Sequence, residues 1–291
     1  MPNLRQLAID FRRVVSTPRR QLQLRRLSAK GKAPISVLFY HRVADEQPND
    51  WTIPSDLFQE QMEWIRERFD VIDMQEVQRR IRQQDSRRPA VHITFDDGYA
   101  ENCRFALPYL IRNKMPCTYF VSYGNCVTGD PFPHDVAAGC PLPVNSLDEL
   151  KALAGTSVEI GYHTRTHCDC GNLITADDFR DEITDGAAEM RAALDMPLRY
   201  FAFPYGLPDN IPIAGIQAAY AAGFQGFCSA YGAYNLPGQD AFHIRRIHGD
   251  AEMSRFKNWL SFDARKLYQR PEIRYWLPPA NNWEQTQELV G

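Results

Sequence analysis

The sequence predicts an α/β fold: a largely parallel sheet of seven strands, enough to close as a barrel. Three observations carry that prediction. Short apolar runs at 35–40, 91–95, 117–121, 158–162, 200–203, 224–229 and 243–247 read as strands. Longer amphipathic stretches separate most of them, the alternation that parallel strands require. The length of 291 residues and the 44% hydrophobic content suit one large barrel domain.

Taken in order, the chain opens with Leu4, Leu7, Ala8, Phe11, Val14 and Val15 at helical spacing, with Arg5, Arg12 and Arg13 interspersed. This predicts a short basic amphipathic helix ending near Pro18. The favoured expectation is that its apolar stripe packs on the protein's own domain; contact with an anionic membrane surface is the alternative. Strand 35–40 is followed by helix 56–69, in which Leu57, Phe58, Met62, Ile65 and Phe69 share a face. Further helices are expected at 76–83, 101–113, 147–153, 177–194 and 214–222. The connection 122–146 carries Pro131, Pro133, Pro141 and Pro143 and directly follows a strand, which marks it as functional or mobile. The organisation is therefore a basic helical segment at 1–32, a barrel at 33–270 and a tail at 271–291.

Charge and cysteine content exclude several classes. The net charge is −3, which argues against a nucleic-acid partner, although residues 1–32 carry +8 and leave −11 for the rest. No apolar run reaches membrane-span length and no secretory h-region follows the start, so a cytoplasmic location is expected, with peripheral membrane association through the first helix as the alternative. Seven irregularly spaced cysteines form neither a disulfide framework nor paired zinc knuckles.

Four polar clusters directly follow strands. Strand 35–40 runs into His41, strand 91–95 into Asp96-Asp97-Gly98, strand 158–162 into His163-Thr-Arg-Thr-His167, and strand 200–203 into Pro204-Tyr205-Gly206. In a parallel barrel all four lie on one rim, where the chemistry of such folds resides. His163 and His167 with a carboxylate make a set suited to zinc or another divalent first-row ion. The spacing resembles that of a helical metalloprotease motif, but its Glu is missing and two Thr residues favour extended backbone. Taken alone, a His pair is usually structural and Asp-Asp-Gly is as often a simple turn.

In combination, Thr94-Phe-Asp-Asp-Gly98, His163-Thr-Arg-Thr-His167 and Phe201-Ala-Phe-Pro-Tyr-Gly206 resemble the polysaccharide deacetylase family, carbohydrate esterase family four. With Leu38-Phe-Tyr-His-Arg-Val43 the resemblance spans about residues 35–250, and the first-strand histidine is similar to the circularly permuted branch containing poly-N-acetylglucosamine deacetylases. The resemblance implies a distorted (β/α) barrel of about seven strands. It implies that Asp97, His163 and His167 hold the metal, usually zinc, and that Asp96 is the general base toward the attacking water. It further implies that the Tyr205 amide helps hold the oxyanion and that a histidine protonates the departing amine.

Two positions depart from the family pattern. An Arg that usually pairs with the base is replaced by Ala202, leaving Arg245 and Arg246 as candidates for that partner. The acid is expected to be His41, with His248 as the competing candidate. His92, His134 and His243 receive structural or surface readings, and Cys168 and Cys170 are not expected to ligate. The implied reaction is removal of the N-acetyl group from a 2-acetamido sugar in a polysaccharide, oligosaccharide or lipid-linked glycan, releasing acetate. The alternatives are a deformylase of a lipid-linked amino sugar, a metal-free amidase of cyclic purine products, and a catalytically silent carbohydrate-binding barrel.

Overall fold

The structure is a computed structural model that describes residues 4–230, 232–249, 251–267 and 272–277. Seven strands close into a parallel barrel: β1 (Ile35–Tyr40), β2 (Ala90–Phe95), β3 (Cys117–Val121), β4 (Val158–Tyr162), β5 (Tyr200–Ala202), β6 (Gly226–Ser229) and β7 (His243–His248). Neighbours in the ring follow chain order, and β1 closes it by pairing with both β7 and β2. A two-residue strand, Asp70–Val71, adds to the start of β2. The ring is uneven. β5 has three residues, and a single register pair, Tyr162 with Phe201, joins it to β4.

Every residue of β1 and β2 is buried, as expected for parallel strands covered on both faces. Their period of two sorts side chains between two compartments. Ile35, Val37, Ala90, Phe120, Tyr200, Ala202, Cys228 and Ile244 belong to an inner cluster. Leu38, Tyr40, Val91, Ile93, Phe95, Tyr119, Ile160 and Phe201 face the surrounding helices. Helix Met74–Arg82 plugs the amino-terminal mouth: Met74, Val77 and Ile81 join the inner cluster. Its buried Gln78 donates to the carbonyls of Gln225 and Ala241 and accepts from the Tyr200 hydroxyl.

Several expected elements change shape. Helix 101–113 divides into a 3₁₀ turn, Ala100–Cys103, and a helix, Ala106–Arg112. Helix 177–194 is interrupted by a π-helical turn at Arg180–Asp185. Helix Met253–Leu260 had no counterpart in the sequence reading. The connection 122–146 is built around two short helices, Tyr123–Thr128 and Pro133–Ala137, and Tyr99, Phe132 and Leu142 form a small core of their own. Most of 271–291 lies outside the described residues, but Ile273, Tyr275 and Leu277 pack against the outer core.

The first helix does not end near Pro18; it runs from Leu4 to Ala29. Proline deprives the Val14 carbonyl of its helical donor, but both residues lie on the exposed side, where water can take the place of that donor. The favoured packing is also reversed, because the polar face turns inward. Arg20 is buried and donates to the carbonyls of Asn258 and Phe262 at 2.7 and 2.5 Å. Asp10 accepts from the Ser254 hydroxyl at 2.5 Å. An acid at the start of helix Met253–Leu260 and a guanidinium at its end both complement that helix's dipole.

Two histidines are buried and held neutral. His92 bonds the Ile72 carbonyl and the Thr118 hydroxyl at 2.7 and 2.9 Å, and burial pushes its pKa down to about 4. His243 bonds Ser229 at 2.8 Å, and burial likewise lowers its pKa. In the unfolded chain a histidine protonates near 6.5, so for His92 the unfolded state binds more protons between that pH and about 4, and burial of His243 acts in the same direction. Stability is full above this window and falls by about 1.4 kcal/mol per pH unit per histidine on acidification. Urea unfolding between pH 7 and 4.5 should show the decline, with a shallower slope in His92→Gln. Identical slopes would refute the assignment.

Candidate active site

The inward period of two, extended one step beyond each strand, delivers the site. It places His41 after β1, Asp96 after β2 and His163 after β4, with Arg246 projecting inward from β7. The resulting cleft at the carboxyl end has a volume of about 430 Å³ and includes His41, Asp96, Asp97, His163, His167, Tyr205 and Arg246 in its lining.

Asp96 and Arg246 are 3% and 1% exposed and form a bidentate pair at 2.6 and 2.8 Å. Arg246 also donates to the Ser229 carbonyl and the Thr94 hydroxyl, and its guanidinium lies 4.9 Å from the Phe39 ring. Burial pushes the Asp96 carboxyl up, but the Arg246 charge and hydrogen bonds, together with the nearby imidazoles of His163 and His41, hold the group below the usual carboxylate range. Of the two arginines considered from sequence, Arg246 is the partner. Arg245 approaches Gln239 and the His243 carbonyl instead.

Asp97 has φ +74°, which turns it away from the direction of Asp96. The turn continues through Gly98 at φ +103°, where a Cβ would stand 3.1 Å from Val121. Asp97 Oδ1 is buried without a hydrogen-bond partner, 3.4 Å from His163 Nε2 and 3.1 Å from His167 Nε2. The His163 Nδ1 lies 2.7 Å from the Ala202 carbonyl. A carbonyl can only accept, so Nδ1 carries the proton and Nε2 presents a lone pair toward Asp97. The separations are those of neighbouring ligands around an ion bonded at about 2.0–2.2 Å. Together with the unsatisfied carboxylate oxygen, they make Asp97, His163 and His167 a fitting divalent-metal set.

The loop that carries the two histidines is non-helical, and its shape is enforced. Thr164 and His167 have φ +61° and +58°, a conformation that is costly for a β-branched residue in particular. Glu182, in the π-helical turn, accepts from the amides of Arg165 and Thr166 at 3.0 Å and from the Thr166 hydroxyl at 2.7 Å. Arg165 in turn makes a bidentate pair with Glu189. Gly186 lets Tyr162 approach: a Cβ there would meet its hydroxyl at 2.1 Å.

His41 lines the cleft, with its Nδ1 buried and without a hydrogen-bond partner. Burial lowers its pKa, opposed by the charges of Asp97 and Asp96. His248 lies beside Phe39, 5.1 Å between ring centroids, and 6.5 Å from His41; it is not among the residues lining the cleft. Tyr205, at φ +61°, stands exposed at the cleft edge, 5.5 Å from the His167 ring.

Three contributors escaped the sequence reading. Trp51 packs on His41 at 4.8 Å and lines the cleft; a lone Trp in a polar loop was its signal. Arg42, buried, holds that loop by donating to the carbonyls of Glu46 and Gln47 and to Thr52 and Glu101. Glu182 looked like any acid in a helical stretch. His134, read mainly as a surface residue, lines the cleft 6.0 Å from His167 and bonds the Tyr99 hydroxyl.

Comparison with known proteins agrees with this fold. No curated protein matches the sequence. The fold is similar to that of IcaB from Ammonifex degensii (23% identity, TM-score 0.65, covering 79% of this chain and 97% of that one). It is also similar to the Streptococcus pyogenes deacetylase PplD in complex with acetate (18%, TM-score 0.64, 78% and 97%). A third likeness is to a de-N-acetylase from Aggregatibacter actinomycetemcomitans (18%, TM-score 0.61, 77% and 99%). Residues 83–235, more than half of the chain, match the family described as polysaccharide deacetylase. The chain belongs to the polysaccharide deacetylase family.

Proposed function

We propose that the protein hydrolyses the N-acetyl amide of a 2-acetamido sugar in a polysaccharide, oligosaccharide or lipid-linked glycan, releasing acetate and a free amine. The observation that carries this reading is one cleft holding a metal-competent Asp97–His163–His167 set, a clamped carboxylate at Asp96 and an imidazole at His41. Its likeness in fold to a deacetylase described in complex with acetate and to a de-N-acetylase supports the acetyl group as the one removed. The open aromatic edge formed by Trp51 and Tyr205 suits the apolar face of a sugar ring.

Asp97, His163 and His167 would hold a divalent ion, with zinc the first choice for this donor set. When bound, such an ion supplies Lewis acidity, polarising the amide carbonyl and acidifying the attacking water. Asp96 accepts the proton from that water as oxygen attacks the carbonyl carbon. Both its oxygens are oriented by Arg246, leaving the remaining lone pairs for the cleft. The Tyr205 amide stabilises the negative charge that develops on the carbonyl oxygen. As the C–N bond breaks, His41 gives its proton to the nitrogen, and acetate leaves with the former water oxygen.

His163→Ala or His167→Ala should abolish both bound metal, measured by elemental analysis, and acetate release, while far-UV circular dichroism stays unchanged. Full metal occupancy in either variant would sink the ligand assignment. Asp96→Asn should keep the metal yet lose about 10²–10⁴ in kcat, the usual range for a general base. Metal loss as complete as in Asp97→Asn would mean that the two aspartates are exchanged. For the acid, His41→Ala should collapse kcat with metal retained, and His248→Ala should do far less; the reverse order would assign the acid to His248.

A further inference from the structure

The first helix exposes the side that a packed helix normally hides. Leu7, Phe11, Val14, Val15 and Leu22 are all about half exposed or more, with Phe11 and Val14 at 71% and 73%. At 100° per residue they fall within one arc of the helix, with the buried Arg20 on the opposite side and Asp10 beside the arc's edge. Arg12, Arg19 and Arg26 recur every seven residues along one margin of that arc, and all are exposed. Arg25 lies in line with the stripe toward its end. No helix among the described residues is long and apolar enough to cross a membrane.

We propose that this stripe docks the protein in the plane of an anionic lipid surface, with the apolar side chains entering the interface and the arginine row meeting the headgroups. The charge pattern selects this occupant. Residues 1–32 carry +8 while the rest of the chain carries −11, so attraction to an anionic surface is concentrated at the helix. A second copy of the chain would bring like-charged arginine rows together. Five side chains also fall short of the ~800 Å² per partner of a stable protein interface. A lipid surface gains from both parts of the pattern, from each arginine brought near it and from each apolar side chain that it buries.

Asp10 is tied to Ser254, a few residues beyond the end of β7, so the helix begins at the carboxyl end of the barrel, where the cleft opens. Its first turns therefore stand at the cleft's end of the barrel, while its last turn reaches the strand starts, where the Ser86 amide donates to the Gly31 carbonyl. The docking is independent of the reaction, and its test uses no substrate.

The experiment is flotation of the full-length protein with vesicles of phosphatidylcholine containing one-third phosphatidylglycerol, and with phosphatidylcholine alone. The protein should float with the anionic vesicles and largely remain behind with the neutral ones. Raising salt should weaken the binding. Phe11→Glu with Val14→Glu should weaken it by at least about tenfold, a change of about 1.4 kcal/mol or more, and Arg12→Gln, Arg19→Gln and Arg26→Gln together should remove the preference for anionic lipid. Equal flotation with both vesicles, no flotation, or unchanged binding in the Phe11/Val14 variant would overturn the proposal. So would a Phe11/Val14 variant that melts several degrees lower without lipid, or one that converts a dimer to a monomer, because the stripe would then be covered by the protein itself or by a second copy.

Discussion

The buried pair between Asp96 and Arg246 is the constraint on which the barrel mouth depends. Taking two charges out of water costs several kcal/mol per ion, and only good geometry with further hydrogen bonds offsets it. Here the carboxylate receives both arms of the guanidinium, while Ser229 and Thr94 accept its other N–H groups. The pair also spans the closure of the ring. β7 and β2 both pair with β1 rather than with each other, and Arg246 joins them across it. Thr94 adds a stitch by donating to the Leu38 carbonyl at 2.8 Å. Removing either charge leaves the other buried and unpaired, a cost of about 3–5 kcal/mol.

The same pair divides the work between two adjacent carboxylates. Left side by side without a cation, Asp96 and Asp97 would repel. Arg246 neutralises the first, and the left-handed turn at Asp97 aims the second toward two imidazoles, with one oxygen unsatisfied. The assignment of metal ligand and base on the proposed reading follows from this difference in partners. A clamped carboxylate of depressed pKa is a weak base toward ordinary water, so proton transfer to Asp96 calls for water that has been acidified. The two aspartates are thus coupled in function through the ion that Asp97 would share with His163 and His167.

Much of this was legible in sequence because it lies in local strings. The seven strands follow from apolar runs, and the rim clusters follow from the polar residues at the end of each run. The family resemblance carried by Thr94–Gly98, His163–His167 and Phe201–Gly206 is matched by the family assignment over residues 83–235. What was not legible depends on partners distant in the chain. Arg245 and Arg246 are equivalent as letters; only the inward parity of β7 separates them. Glu182 gains its role because a π-helical turn brings it to the loop sixteen residues earlier. His41 and Arg246 lie outside the matched stretch, yet both line the same cleft.

The first helix shows why amphipathic pattern alone does not reveal which face is buried. Its apolar stripe suggested inward packing, but a helix turns inward whichever face finds better partners. Helix Met253–Leu260 offers a terminal carbonyl at Asn258 and a first-turn hydroxyl at Ser254. Arg20 and Asp10, ten residues apart on the polar face, meet both. Hydrogen bonds to a charged group contribute about 1.5–3 kcal/mol each, comparable with burial of a single large apolar side chain. The polar face therefore competes on equal terms once a helix with a complementary dipole lies beside it. Its own Arg12 adds a weaker contact to Asp263 at 3.7 Å. Anchoring the polar face leaves Phe11 and Val14 outward, and the exposure that would be a fault in a packed helix becomes a surface of its own.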